Sequence, residues 1–223
     1  MNLEQAVDSG MDMVNHVQYV YSILKRNKTD GSIDFKDSAN LAVIKFLKTH
    51  QVVIDPTLGV FELAFRSVND SITDIEPNFS TLPDPLKQLF INFGSSNPQQ
   101  IARGKKIMES FTQVVGELNK NHITMVAGTD MGFPGYSVFR ELELYVSAGL
   151  TPMEALQTAT IVPARVMKME NASGSLEAGK NADIILIEGN PLQNIRNIRN
   201  VKTVIRNGSM YDPGALHTMA GFQ

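Results

Sequence analysis

The 223-residue chain has no cysteine, which excludes disulfides, zinc–thiolate sites and thiol nucleophiles. It also lacks an excess of positive charge. A formal net charge of −3 leaves no electrostatic footprint for nucleic acid or for an anionic membrane. No apolar run approaches the roughly 20 residues needed to span a bilayer. Neither a nucleic-acid nor a membrane partner is therefore expected. The first ten residues carry Glu4 and Asp8 and no apolar core, unlike a signal peptide. The chain reads as soluble, and its compartment stays open because a segment upstream of Met1 could carry an export signal. What is present is ordinary for a globular protein: 43% hydrophobic and 19% charged residues, enough for one large domain or a domain with a small appendage.

The most informative stretch is Ile123-Thr124-Met125-Val126-Ala127-Gly128-Thr129-Asp130. Its apolar residues suit a short strand buried on both faces. Gly128 permits a close backbone approach, and Asp130 stands at the strand's carboxyl end. Parallel α/β folds gather their chemistry at such ends, although an Asp after a βα turn also commonly caps the next helix. Two earlier stretches have the same character. Met11 to His16 reads as a short strand ending on a histidine, after a helix from Leu3 to Ser9 stopped by Gly10. Val52 to Thr57 reads as an apolar strand ending at Pro56-Thr57.

Between these strands lie a polar loop (Lys25 to Asp37), a helix from about Ala39 to His50 carrying Leu41, Ile44 and Leu47 or Phe46, and a proline-rich excursion from Gly59 to Pro98. An amphipathic helix from Gln99 to Lys120 follows, with Phe111, Val115 and Leu118 on one side. Strands alternating with helices imply parallel βα units. If the strands are neighbours, His16, Thr57 and Asp130 converge on one rim, where a His and an Asp are suitable metal ligands.

Beyond Asp130, Gly132 to Gly135 reads as a loop, and Ser137 as the cap of a helix ending near Ala148. Thr151-Pro152-Met153-Glu154 is a capping box opening another helix. Pro163 ends that helix or begins a short one running to about Lys168. Gly174 to Asn181 comes close to the phosphate-binding pattern G-x-x-x-x-G-K-[ST]. It fails because Asn181 replaces the hydroxyl residue and a strand, Ile184 to Ile187, follows in place of a helix. With Val201 to Arg206, the Asn207-Gly208 turn and Ser209 to Tyr211, this makes a small β unit.

The order and spacing of several short motifs resemble the second half of an amidohydrolase-superfamily enzyme, in the imidazolonepropionase and prolidase-like branch. They are Ala127-Gly128-Thr129-Asp130, Glu141-Leu142, Ala148-Gly149-Leu150-Thr151-Pro152, Ala155-Leu156, Ala159-Thr160, Pro163-Ala164, Gly174-Ser175 and Gly179-Lys180-Asn181-Ala182-Asp183. The resemblance implies an α/β fold: a partial TIM-type (β/α)8 barrel, about strands six to eight, over residues 1–168. A small composite β-sandwich portion would occupy residues 169–223.

Asp130 then matches the family's aspartate at the end of strand eight, and His16 its metal-binding histidine at the end of strand six. Asn15 stands where a glutamate is usual. The implied cofactor is a divalent metal, zinc by ligand type, and the implied reaction is hydrolysis of a C–N bond in a cyclic amide, N-acyl amino acid or dipeptide. His16 and Asp130 are the expected metal ligands, and Asp130 also the expected catalytic proton carrier. The family's opening His-x-His pair is missing, since the four histidines are His16, His50, His122 and His217.

Two readings follow. One is a C-terminal fragment of a metal-dependent hydrolase, inactive alone. The other is a non-catalytic remnant or interaction module. In either case the open barrel edge is expected to invite homo-oligomers or aggregation.

Overall fold

Three short apolar stretches meet side by side, as their composition requires. A computed structural model describes residues 2–26, 32–130 and 133–222. In it β1 (Met13–Asn15) pairs in parallel with β2 (Val53–Asp55), Val14 opposite Ile54. The 123–127 segment lies on the far side of β2. Ile54 N–H donates to Thr124 O at 2.9 Å and Val126 N–H to Ile54 O at 3.0 Å. This third stretch, expected as a full strand, forms a single parallel bridge between Ile54 and Met125. On its other side Ala127 N–H is taken by Thr158 O at the end of a helix, so no ladder extends there. Among the described residues β1 pairs with β2 alone, and no closed barrel forms.

Helices pack over these strands. The first, α1 (Leu3–Asp8), is opened by an Asn2–Gln5 capping box. Next comes α2 (Val17–Leu24), to which the sequence reading assigned nothing. It buries Val17, Val20, Tyr21 and Leu24, the spacing of one helical face. In α3 (Ser38–Thr49), started by the Asp37 carboxylate on the amides of Ala39 and Asn40, the core side is Val43, Ile44 and Leu47. Leu41, expected on that side, faces solvent. The expected loop from Lys25 to Asp37 lies partly outside the described residues, as does Gly132 of the loop before α7.

The excursion is compact. It contains α4 (Leu58–Phe65), two short 3₁₀ turns and α5 (Asp84–Ile91). It has its own small core, in which Leu63, Phe79, Leu82 and Phe90 pack with Phe133 and Tyr136. The long α6 (Pro98–Lys120) buries Phe111, Val114, Val115 and Leu118 as its periodicity predicts. Gly104 and Gly116 also lie on its buried side. A Cβ at Gly104 would stand 2.7 Å from Phe65 Cβ, and one at Gly116 would collide with Ala148 O.

After α6 and the 123–130 segment come α7 (Ser137–Ser147), α8 (Pro152–Thr158) and α9 (Ile161–Val166). The Thr151–Glu154 capping box is formed as expected. Ser137 is the first residue of α7 instead of its cap, and its hydroxyl accepts Phe133 N–H at 2.8 Å.

The C-terminal unit is one antiparallel sheet, β3 (Ile184–Ile187), β4 (Val201–Arg206) and β5 (Ser209–Tyr211), in the order β3-β4-β5, with α10 (Pro213–Met219) after it. Lys180, which would serve a phosphate loop, instead binds Glu177 within its own turn at 3.0 Å. The 3₁₀ turn Ile195–Arg199 inserts Ile195 and Ile198 into the main core.

Arg199 also enters a buried ionic cluster. It donates to both Glu76 oxygens at 2.8 and 2.9 Å and to Glu143 at 2.6 Å. Arg140 bridges Glu143 to Glu62. This cluster joins the excursion, α7 and the C-terminal unit.

Candidate functional site

The ends of the three parallel stretches come together, as the strand order requires. His16 follows β1 directly, and its N–H donates to Asp55 O at 2.7 Å. Its ring Nδ1 lies 2.8 Å from Thr57 Oγ1, which leaves Nε2 facing Asp130 Oδ2 at 3.6 Å. Phe61 meets the ring edge-on with centroids 6.0 Å apart. Sequence reasoning named His16, Thr57 and Asp130 as three strand ends, and the structure brings all three to one rim. The Asp130 side chain is 60% exposed and that of His16 27%, so a solute can reach both.

The backbone at this rim is strained. His16, Thr57 and Asp130 all have left-handed φ values, 72°, 51° and 43°. That region is disfavoured for any residue with a Cβ, and most of all for β-branched threonine. Such outliers persist where the surroundings over-determine them, and they concentrate at functional sites.

Asp55, at the end of β2, was read only as part of a strand. Its Oδ1 accepts Gly128 N–H at 2.8 Å. A Cβ at Gly128 would collide with that carboxylate, so glycine is required here for close approach. Burial pushes the Asp55 carboxyl up, while the Gly128 amide and His16 pull it back and Asp130 adds to the rise. The clue in the sequence was a second strand-end aspartate, in Val53-Ile54-Asp55, parallel to Asp130.

Beneath the rim lies Glu141, wholly buried. Burial raises its carboxyl to about 8, against the pull of the Gly59 and Leu58 amides that it binds.

As metal donors, His16 and Asp130 suit a borderline divalent cation in kind, being one imidazole and one carboxylate. In number they fall short of the three protein ligands that a catalytic zinc ordinarily takes. Among the described residues no group of three His, Asp or Glu is arranged to hold a metal ion. The other histidines lie elsewhere: His50 beside Asp8 and Phe46, His217 beside Tyr136, and His122 at the end of α6. A cavity of about 660 Å³ opens between α4 and α6 beside Phe65, Arg66 and Met108. It includes none of the rim residues, whereas a second cavity of about 540 Å³ along β1 is lined in part by Asn15, His16 and Tyr19.

Comparison with known proteins identifies the family and the fold. An ochratoxinase from Aspergillus niger is 37% identical over 87 residues, 38% of this chain and 18% of the relative. An imidazolonepropionase from Brevibacillus brevis is 32% identical over 96 residues, 40% of this chain and 22% of the relative. A solved Xaa-Pro dipeptidase with methionine bound in its active site superposes with a TM-score of 0.63 at 21% identity, covering 94% of this chain and 42% of that one. The chain thus spans about two fifths of the length of that solved structure. The model of the amidohydrolase family matches residues 6–210, and the chain belongs to that family.

Proposed function

We propose that the chain is the second half of a metal-dependent hydrolase that cleaves a C–N bond in a cyclic amide, N-acyl amino acid or dipeptide. The observation that carries this reading is the meeting of His16 and Asp130 at 3.6 Å across two strand ends, both on left-handed backbone. The dipeptidase and imidazolonepropionase among the relatives support the bond type. On this reading residues 1–168 are the later strands of a barrel with the rim at their carboxyl ends, and residues 169–223 are part of a β-sandwich completed elsewhere.

Asp130 takes the proton of an attacking water and passes it to the leaving nitrogen, a task suited to a solvent-exposed carboxylate. Thr57 fixes the His16 ring through Nδ1 and so aims Nε2 at the same point. His16 and Asp130 are the residues that would hold the divalent cation, zinc by donor type. Such an ion would supply a more acidic bound water, with a pKa of about 7, and polarisation of the scissile carbonyl. Among the described residues these two donors are fewer than the three protein ligands of an ordinary catalytic zinc site.

The test compares three preparations on a panel of N-acyl amino acids, dipeptides and cyclic amides with added Zn²⁺. They are this chain alone, this chain joined to the upstream half of the barrel, and the joined protein carrying Asp130→Asn. The expected result is activity in the second preparation only. Turnover by the chain alone, abolished by Asp130→Asn, would overturn the ligand count. A folded, metal-loaded joined protein inert on the whole panel would overturn the hydrolase reading. It would favour the alternative of an interaction module, for which the edge of β1, unpaired among the described residues, is the supporting feature.

A further inference from the structure

Thr57 occupies the N-cap position of α4, yet its hydroxyl does not cap that helix. It is engaged by His16 at 2.8 Å instead. A helix that begins this way leaves its first amides without an intrahelical partner, and in a buried place that is costly. Here they are taken by a residue far away in sequence. Glu141 Oε1 accepts Leu58 N–H and Oε2 accepts Gly59 N–H, each at 2.7 Å. Glu141 has no exposed surface. Its neighbours include the Asp55 carboxylate and the Tyr145 hydroxyl. Gly59 is held so close that a Cβ there would stand 3.2 Å from Glu141 Oε2.

One turn further along α7, on the same face, Tyr145 is equally buried. Its hydroxyl donates to Val126 O at 3.0 Å. Val126 lies in the stretch that leads to Asp130, and the next glycine in that stretch, Gly128, is bound by Asp55.

We propose that Glu141 and Tyr145 are positioning residues for the rim. Glu141 holds the left-handed turn at Thr57, and through it the orientation of the His16 ring. Tyr145 holds the stretch that delivers Asp130. The physical reason is that both groups are buried and would lose hydrogen bonds with no water to replace them. The Thr57 turn therefore cannot relax without breaking bonds at a fully desolvated carboxylate, nor the Asp130 stretch without breaking one at a buried phenol. Freed from capping α4, the Thr57 hydroxyl is available to the imidazole.

The proposal rests on reading the rim as the site, but its test needs no substrate and no metal. A chain that hydrolyses nothing leaves it standing. The wild-type protein, labelled with ¹⁵N in its histidines, should show well-separated ring nitrogen signals for His16, the pattern of one dominant tautomer held by Thr57. In Glu141→Gln the two signals should move toward each other as the turn loosens. Arg199→Met, which disturbs a contact of the same helix away from the rim, should leave them in place. In the wild-type protein the Leu58 and Gly59 amides should exchange with solvent as slowly as that of Ile54 in β2. Tyr145→Phe should speed exchange of the Val126 and Gly128 amides at least tenfold while Leu58 and Gly59 stay protected.

A folded Glu141→Gln with unchanged His16 signals would overturn the Glu141 role. So would rapid exchange at Leu58 and Gly59 in the wild-type protein, which decides the matter even if Glu141→Gln does not fold. Unchanged exchange in Tyr145→Phe would overturn the Tyr145 role.

Discussion

Two glutamates on α7, Glu141 and Glu143, are both buried and separated by a single residue, yet their surroundings are opposite. Glu143 faces cations. Burial alone would raise its carboxyl, but Arg199 and Arg140 together outweigh that and hold it below the usual range. Glu141 faces amides, a phenol and another carboxylate, and burial carries it up to about 8. Burial thus does not decide the chemistry of a carboxylate; the kind of partner does. The region around Glu143 binds parts of the molecule together by charge. The region around Glu141 supports a rim at which His16 and Asp130 stay open to solvent while Thr57 is buried. A buried ionic cluster adds little stability over apolar packing, but breaking one side of it is severe.

The largest effect should come from breaking the ionic side. Arg199→Met removes the partner of Glu76, which has no exposed surface, and of Glu143. Loss of one member of a buried pair costs about 3–5 kcal/mol. Urea or thermal unfolding should show a loss of that size, and a loss below about 1 kcal/mol would mean the cluster is solvated in the way surface pairs are.

The two glutamates should next separate by pH. Glu141 has a folded value raised from 4.5 to about 8, so the folded state binds its proton more readily than the unfolded one. Its contribution to stability is present below the unfolded value and is lost as pH rises toward 8, by at most about 1.4 kcal/mol for each pH unit. Asp55 is raised too and works in the same direction. Glu143 is lowered, so its contribution is present above its unfolded value and is lost as acid protonates it. Unfolding free energies across pH should therefore fall less steeply toward alkali in Glu141→Gln. In Glu143→Gln they should fall less steeply toward acid. Identical profiles for the two variants would erase the contrast.

The smallest effect is a steric one at the rim. Gly128→Ala places a methyl against the Asp55 carboxylate, and overpacking of this kind typically costs about 1–3 kcal/mol. Unfolding should report that loss, and the Gly128 amide should lose its protection from exchange. A neutral substitution would show that the 123–130 stretch can shift without consequence.

How much of this was readable beforehand follows from the range of the interactions. The strand ends at His16, Thr57 and Asp130, the α6 stripe and the Thr151 cap rest on local patterns, and local patterns are what a sequence displays. Asp55 was passed over because a strand reading explained it. Val17 to Leu24 had a helical spacing that followed too closely on the histidine to be separated from the preceding strand. Leu41 reads as a core position of α3 because it stands one turn before Ile44, yet it lies at the edge of that face and is half exposed. Arg199 and Glu76, 123 positions apart, and Glu141 with Leu58, 83 apart, belong to pairings that no local pattern announces. Only the fold brings such residues together.

The left-handed backbone at His16, Thr57 and Asp130 has one further consequence, for how this protein responds to selection. Glycine tolerates that conformation without strain, and asparagine tolerates it better than most other residues. Heat resistance selected alone, in a large library, would accordingly enrich glycine and asparagine at these three positions. The most thermostable descendants would be those that had lost the rim first. Stability and chemistry pull in opposite directions at the same backbone angles, so a lineage that keeps a histidine, a threonine and an aspartate there has been held to them by something other than folding.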